Sequence, residues 1–265
     1  MIANILTIAG SDPSGGAGIQ ADLKTFAARG TYGMAALTAL TAQNTQGVTG
    51  VHLVPASFVA NQIEAVFADV RVDAIKIGMI ATAEIAEAVA DAITPHRDVP
   101  IVLDPVMVAK GGASLLAQDA VEALILRLLP IATIITPNLP EAAALLGEPE
   151  AGDREAMAGQ ARRLMYLGPR AVLVKGGHLE DAASPDVFVH GTSVTWLEGR
   201  RSETHNTHGT GCTLASAIAA ELGKGLGPLE AVQAGKEFVS AAIARSGELS
   251  VGSGHGPVHH FHASW

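Results

Sequence analysis

Short, uninterrupted apolar runs alternate along the chain with longer stretches of helical periodicity, and this alternation constrains the fold more than any other feature. The runs are rich in Ile, Val and Leu and show little polar–apolar alternation, which is typical of strands buried on both faces. Strands separated by helices in this way predict a mostly parallel sheet with helices on both faces, within a single domain of residues 1–265. The strands predicted from these runs are residues 4–9, 74–78, 101–104, 133–136 and 171–175.

Weaker patterns predict the remaining elements. Residues 32–40 are interpreted as a less regular strand, and residues 187–190, 193–196 and 201–205 as a short antiparallel meander. In an open sheet of this kind ligands bind beyond the carboxyl ends of the strands, so the informative residues should follow the strands. Helices are predicted at residues 17–28, 57–68, 84–93, 115–129, 141–146, 154–167, 212–222 and 229–245.

Charge and cysteine content argue against several kinds of function. The formal net charge is −9 and the 17 basic residues are scattered, whereas nucleic-acid binding needs clustered Lys and Arg. The single cysteine, Cys212, excludes an intrachain disulfide and a zinc site built mainly of cysteines. The apolar run of residues 121–135 is broken by Arg127 and Pro130, so no membrane span is predicted. With no basic leader at the N-terminus, we expect a cytoplasmic protein.

A glycine-rich turn at residues 206–212 precedes a predicted helix. Gly209, Thr210 and Gly211 can direct several backbone N–H groups to one point, where the helix dipole adds positive potential. Such a turn suits the charge on a phosphoryl group in transfer. The alternative interpretation is a purely structural turn at a helix start.

Polar residues also follow three of the predicted strands. Asn138 and Glu141 are spaced to share one face and to hold hydrated Mg²⁺, although the same spacing is typical of a helix-capping pattern. Asp104 can complete a metal site or cap a turn. Lys175 can neutralise nucleotide phosphates or extend to solvent.

The glycine-rich segment of residues 10–18 follows the first strand and opens a helix. Gly10 lets a ligand approach the backbone closely, but the segment lacks the spacing of a dinucleotide-binding motif. Asp22 lies near the inward face of the following helix. A buried carboxylate needs a partner, so we consider a substrate contact there, with an exposed helix surface as the alternative.

The order and joint placement of these segments are more specific than any one of them. The chain resembles the hydroxymethylpyrimidine (phosphate) kinase family of the ribokinase-like superfamily over nearly its whole length. The resemblance implies a three-layer α/β/α sandwich and a homodimer. It also implies an enzyme of thiamin biosynthesis that uses ATP and Mg²⁺ to phosphorylate 4-amino-5-hydroxymethyl-2-methylpyrimidine and then its monophosphate. The matching segments are residues 7–18, 41–45, 76–79, 103–107, 136–141, 174–178, 207–212 and 255–258.

The resemblance also implies roles for individual residues. Gln43 is expected to contact the pyrimidine, because its amide presents a donor and an acceptor side by side to an aminopyrimidine. Met79, Val106 and Met107 are expected to contact the ring, or else to be ordinary core. The resemblance assigns ATP to Asn138, Lys175, Thr207, Gly209 and Gly211, and the metal to Asp104 and Glu141.

Cys212 stands where the related sugar kinases carry an Asp base. A thiol at a helix N-terminus is expected to have a lowered pKa, so Cys212 is predicted to act as base in the first phosphorylation. The second step needs no strong base, because a phosphate monoester has a second pKa near ~6. The alternative is that Cys212 lines the anion-binding turn as a small residue.

Rival interpretations remain at this stage. A pyridoxal kinase is the nearest, since pyridoxal also carries a hydroxymethyl group, and a catalytically silent pyrimidine-binding sensor is a second. The C-terminal histidines, at positions 255, 259, 260 and 262, are interpreted as a solvated or ligand-adjacent tail rather than a metal site. The loop of residues 109–114 contains two glycines and is interpreted as a candidate lid.

Overall fold

The computed structural model describes residues 1–107, 118–177, 184–199 and 201–265. Within these residues an eight-stranded, mostly parallel sheet lies between two layers of helices, as predicted. The candidate lid at 109–114 lies outside the described residues. No helix in the described part of the chain is long and apolar enough to cross a membrane.

The sheet has the strand order β10-β9-β8-β7-β6-β5-β1-β2. Neighbours from β2 to β8 run parallel, whereas β9 pairs antiparallel with both β8 and β10. A separate antiparallel hairpin, β3–β4, lies outside this sheet. The strands are β1 (Asn4–Ala9), β2 (Tyr32–Leu37), β3 (Ala39–Asn44), β4 (Gly47–Leu53), β5 (Ala74–Ile77), β6 (Ile101–Leu103), β7 (Ile134–Ile135), β8 (Ala171–Val174), β9 (Asp186–His190) and β10 (Ser193–Leu197).

Two hydrophobic cores cover the two faces of the sheet. In β1, Leu6 and Ile8 belong to the core under α2 to α6, whereas Ile5 belongs to the core under α1, α7 and α8. All three are fully buried, which explains why the strand reads as a continuous apolar run. The helices are α1 (Gly18–Ala28), α2 (Ala56–Asp69), α3 (Ala83–Ile93), α4 (Gln118–Ala123), α5 (Leu139–Leu146), α6 (Arg154–Met165), α7 (Thr210–Gly223) and α8 (Pro228–Ala244).

The predicted elements differ from the structure in three places. The helix predicted at 115–129 is described as α4 followed by a π-helical turn (Leu124–Leu128) and a 3₁₀ turn (Leu129–Ile131). Pro130 lacks an N–H group and cannot continue an α-helix. The strand predicted at 32–40 divides into β2 and the start of β3. The strand predicted at 201–205 is wrong, because these residues have no strand structure.

Candidate active site

The predicted site residues converge at the carboxyl ends of the parallel strands, around a cavity of about 1330 Å³. The cavity opens between the β3–β4 hairpin on one side and α8 on the other. With the exception of Asp22, every residue singled out for chemistry lines it. Those lining residues are Gly10, Gln43, Met79, Asp104, Val106, Met107, Asn138, Glu141, Lys175, Thr207, Gly209, Thr210, Gly211 and Cys212.

The turn before α7 has the geometry of an anion-binding site. Gly209 is left-handed, with φ 77°, and a Cβ there would overlap the carbonyl oxygen of Gly16, so only glycine fits. The α7 helix begins at Thr210, two residues earlier than predicted. N–H groups in the first turn of a helix have no carbonyl partner within the helix, so those of α7 can meet an anion.

The turn faces a cluster of buried charges. A Cβ at Gly211 would lie 3.3 Å from both Asp104 Oδ2 and Lys175 Nζ, so the glycine allows the backbone to approach both groups. Lys175 Nζ donates to Asp104 Oδ1 at 2.9 Å, and Thr136 Oγ1 donates to the same oxygen at 3.0 Å. Glu141 Oε2 lies 3.9 Å from Lys175 Nζ. Lys175 therefore turns inward instead of extending to solvent.

Burial and neighbouring charges act in opposition on this cluster. Burial alone would raise the pKa of Asp104, but the ammonium groups of Lys175 and Lys76 lower it below its ordinary value. Burial raises the pKa of Glu141 to about 7; Lys175 opposes the shift and Asp104 adds to it. Burial would lower the pKa of Lys175, but Asp104 and Glu141 raise it above its ordinary value. The cluster is thus two carboxyl groups around one firmly charged ammonium.

Asn138 and Glu141 form a capping box at the start of α5, so the capping interpretation holds for their geometry. Asn138 Oδ1 accepts from Glu141 N, and Glu141 Oε2 accepts from Asn138 N, both at 2.8 Å. Both side chains still line the cavity. No group of three or more His, Cys, Asp or Glu able to hold a metal is present among the described residues. Two carboxylates still fit Mg²⁺, which takes one or two protein carboxylates together with phosphate oxygens and water.

The predicted substrate contact of Asp22 is wrong. Its carboxylate is fully buried on α1 and accepts from Thr7 Oγ1 at 2.6 Å, Ser216 Oγ at 2.7 Å and Lys76 Nζ at 3.0 Å. The alternative of an exposed helix surface is also wrong. Asp22 is the counter-ion of a buried lysine, and it is Lys76 that reaches the cavity wall.

The predicted lowering of the Cys212 pKa is also wrong. Burial raises the pKa of the thiol to about 11; Lys76 opposes this shift, and Asp22 and Asp104 add to it. Burial therefore outweighs the opposing effects of Lys76 and of a backbone hydrogen bond from Gly18. At neutral pH Cys212 in this structure is therefore a thiol and not a thiolate.

The opposite wall of the cavity holds the residues expected around the pyrimidine. Gln43 lies on β3, with its amide near Thr41 and His208. Met107 is buried and belongs to one of the two hydrophobic cores, whereas Val106 is half-buried. Met79 packs against Gly10. The wall combines these apolar side chains with a polar group of Gln43, Thr41 and His208, which suits a flat heterocycle with polar groups on one edge.

The pairing of Asp12 with His208 was not predicted. The Asp12 carboxylate accepts from His208 Nε2 at 2.8 Å, across 196 positions of sequence. Burial would raise the pKa of Asp12, but hydrogen bonds from His208, Ser14 and Ala17 lower it to about 2. A signal was present, since Asp12 and His208 lie in the two glycine-rich segments, residues 10–18 and 206–212.

Sequence reasoning also missed the α8 side of the cavity. Lys236 Nζ pairs with Asp186 Oδ2 at 2.6 Å, and the Gly176 N–H donates to Asp186 Oδ1 at 3.0 Å. Val239 and Ile243 add an apolar surface on the same helix. The sequence of α8 carries only a helical pattern, so it gives no sign of this surface.

The C-terminal histidines are not a solvated tail as a group. His259 and His260 are buried, and His260 Nε2 lies 3.1 Å from Thr213 Oγ1 on α7. Burial lowers the pKa of His260 to about 3, and Lys24, His259 and His262 add to the shift. This segment therefore fastens the end of the chain to the helix that carries the anion-binding turn.

A three-layer α/β/α fold with an anion-binding helix N-terminus and buried charges at the strand ends defines a phosphotransferase of the ribokinase-like class. The chain belongs to the phosphomethylpyrimidine kinase family, whose sequence model matches residues 12–259.

Three relatives illustrate the similarity. A hydroxymethylpyrimidine/phosphomethylpyrimidine kinase of Salmonella typhimurium is 53% identical over 262 residues, covering 99% of this chain and 98% of that protein. The thiamine biosynthesis bifunctional protein ThiED of Geobacter sulfurreducens is 51% identical over 261 residues, covering 98% of this chain and 53% of that protein. An ADP complex of Bacillus subtilis pyridoxal kinase superposes with a TM-score of 0.91 at 39% identity and covers 98% of each chain.

Proposed function

We propose that this kinase transfers the terminal phosphoryl group of ATP to 4-amino-5-hydroxymethyl-2-methylpyrimidine and then to its monophosphate, as a step of thiamin biosynthesis. The observation that carries the proposal is the placement of the anion-binding turn and the Gln43 amide in one cavity. The first binds the group being transferred, and the second recognises the heterocycle that receives it. The 53% identity to a kinase named for these substrates supports the assignment, and the 51% identity to a thiamine biosynthesis protein supports the pathway.

The phosphate half of the reaction relies on charges already in place. The N–H groups of Gly211 and Cys212 face a transferring phosphoryl group, and the Lys175 ammonium balances its charge. Asp104 and Glu141 are the residues that would hold Mg²⁺, which would neutralise phosphate oxygens when bound. Preorganised groups of this kind need no rearrangement during the reaction.

We propose that the nucleotide base lies towards α8. Val239 and Ile243 offer an apolar surface there, while Thr207 and Lys175 lie towards the phosphates. An elongated nucleotide can then extend from α8 to the turn at Gly209. ADP in the Bacillus subtilis pyridoxal kinase structure supports the use of an adenine nucleotide.

Cys212 is assigned the role of an uncharged side chain that does not act as a base. Its backbone N–H belongs to the anion-binding turn, and its thiol, with a pKa of about 11, packs beside the reacting groups. In the first step the hydroxyl loses its proton to water as its bond to phosphorus forms and ADP leaves. A base is not needed for the second step, because the phosphate nucleophile is already largely anionic near neutrality.

A direct assay tests the proposed function. Phosphorylation is measured with ATP and three acceptors: hydroxymethylpyrimidine, its monophosphate and pyridoxal. We expect turnover of both pyrimidines with a kcat/KM well above that for pyridoxal. Turnover of pyridoxal alone would replace the proposal with a vitamin B6 kinase, which is so far only a structural relative. A silent sensor disagrees with membership of a kinase family.

We further propose a cytoplasmic homodimer that uses the β3–β4 hairpin. The hairpin and the neighbouring α2 carry exposed large apolar side chains, which commonly mark an interaction surface. Light scattering on the purified protein tests this, with twice the 27.1 kDa chain mass expected. The exposed side chains are Leu40, Val51, Leu53 and Phe58.

A further inference from the structure

The Asp12 carboxylate accepts a hydrogen from every group around it. Its Oδ1 accepts from Ser14 N at 2.9 Å and Ser14 Oγ at 2.7 Å. Its Oδ2 accepts from Gly16 N at 3.1 Å and Ala17 N at 2.8 Å, and lies 2.8 Å from His208 Nε2. An ionised carboxylate only accepts, so His208 Nε2 must carry its hydrogen whether the imidazole is neutral or charged.

The Gln43 amide makes two unfavourable contacts, one between two hydrogen-bond donors and one between two acceptors. Its Nε2 lies 3.4 Å from His208 Nε2, so two N–H donors face each other. Its Oε1 lies 3.2 Å from Thr41 Oγ1, yet Thr41 donates its single hydroxyl hydrogen to Ser11 O at 2.9 Å. A half-turn of the amide about its terminal bond lets the NH₂ donate to Thr41 Oγ1 and places the oxygen 3.4 Å from His208 Nε2, where it can share in a three-centre contact the hydrogen that His208 donates to Asp12. The two ends of an amide are nearly equal in size, so the half-turn needs no extra space.

We propose that the Asp12–His208 pair holds the Gln43 amide with its oxygen towards His208 and its NH₂ towards Thr41, and so sets the orientation in which the pyrimidine binds. The inference rests on the proposed function, in which Gln43 meets an aminopyrimidine. Asp12 and His208 are thus positioning residues that act through Gln43.

The orientation of the amide decides which end of the substrate reaches the turn. The amide oxygen accepts from the 4-amino group and the NH₂ donates to ring N3, so the amino group lies on the His208 side. The reacting 5-hydroxymethyl group is the ring neighbour of the amino group. His208 directly precedes Gly209, so this orientation brings the hydroxyl towards the anion-binding turn. The reverse orientation of the amide would direct it away.

A fixed amide also discriminates against the deaminated compound. The 4-oxo analogue presents a ring N3–H and a carbonyl, which is the opposite pattern. In the orientation that directs the hydroxyl to the turn, it would bring N–H against N–H and oxygen against oxygen. Turning the ring over relieves both contacts, but with the amide fixed this directs the 5-hydroxymethyl group away from the anion-binding turn. The Asp12–His208 pair is therefore expected to determine specificity as well as position.

The test compares kcat/KM for the aminopyrimidine and its 4-oxo analogue in three proteins. For the wild type we expect a preference of at least about a hundredfold. His208→Phe keeps a flat ring but removes the donor, and should reduce the preference by about tenfold or more with the KM for ATP unchanged. His208→Gln restores an N–H in place of Nε2 and should retain most of the preference. An equal loss for both substrates in His208→Phe, with the ratio unchanged, would overturn the proposal.

A wild-type complex provides a test that needs no variant. In a crystal structure with the aminopyrimidine bound, we expect the 4-amino group on the His208 side of the Gln43 amide and ring N3 on the Thr41 side. The reverse arrangement would overturn the orientation. If the wild type does not phosphorylate the aminopyrimidine at all, the proposed function itself fails. If the wild type turns it over but His208→Phe leaves the ratio of kcat/KM for the two substrates unchanged, only the proposal about amide orientation fails.

Discussion

Gln43 is the residue through which the kinase is expected to distinguish its heterocycle from other flat rings. Replacing it by Leu removes both amide groups while keeping a side chain of similar size. We expect pyrimidine affinity to fall roughly tenfold to a hundredfold, because one well-made hydrogen-bonded contact contributes about 1–3 kcal/mol. Isothermal titration with the pyrimidine and, separately, with ATP checks this. An unchanged pyrimidine dissociation constant would refute the contact.

Cys212→Ser tests whether the thiol acts as a base. Because burial raises the pKa of Cys212 to about 11, its loss should affect both phosphorylations by a similar, modest factor. The rates of the two steps are measured separately, starting from the alcohol and from the monophosphate. A large loss confined to the first step would restore the base role predicted from the sequence.

Some side-chain contacts in the site could be predicted from the sequence and others could not. Asp104, Lys175 and Glu141 could be predicted as neighbours, because parallel strands bring their carboxyl ends to one edge of the sheet. The contact between Asp12 and His208 joins two loops far apart in sequence, and no periodic pattern of residues predicts it. The pKa of Cys212 depends on burial and on two carboxylates, which only the folded chain brings together.

At the scale of elements, the start of α7 is the most demanding part of the backbone. Gly209→Ala would force a Cβ into a left-handed residue and against the Gly16 carbonyl oxygen. We expect a loss of stability above the ~1 kcal/mol typical of such backbone strain, together with a large loss of kcat. Urea unfolding and steady-state kinetics measure the two effects.

Gly30 provides a matched control for that substitution. It has φ 73°, close to that of Gly209, but nothing lies within 4 Å of the position of its Cβ. Gly30→Ala should therefore lose stability through backbone strain alone and keep its kcat. Equal losses of stability and kcat in Gly209→Ala and Gly30→Ala would show that the backbone contact at Gly209 adds no constraint beyond its positive φ.

The elements themselves were predictable to different degrees. The five central strands were identified from sequence because burial on both faces produces uninterrupted apolar runs. The β3–β4 hairpin is largely exposed and contains Gly47 and Gly50, so its sequence lacks that pattern. Residues 201–205, predicted as the third strand of a meander, line the cavity instead of pairing with the sheet.

For the whole molecule, buried His260 should make stability depend on pH. Burial lowers its pKa to about 3, so the unfolded chain binds this proton at a higher pH than the folded chain does. The contribution of neutral, buried His260 to folding stability is therefore complete above the ordinary histidine pKa of 6.5 and is lost as pH falls towards 3. Between pH 7.5 and 5 the expected loss is about 2 kcal/mol.

Urea unfolding of His260→Gln at the two pH values checks this dependence. The variant removes the titrating group, so its stability should change less with pH than that of the wild type. His255→Gln, at an exposed position, is the control and should behave as the wild type does. Identical pH dependence in all three proteins would show that His260 does not link protonation to folding.

The position of the terminal phosphate is the most direct test of the account. The measurement is a crystal structure of the protein with a non-hydrolysable ATP analogue and hydroxymethylpyrimidine bound together. We expect the terminal phosphate within hydrogen-bond distance of the N–H groups of Gly211 and Cys212, and the hydroxymethyl oxygen facing it from the Gln43 side. A terminal phosphate bound away from that turn would contradict the account.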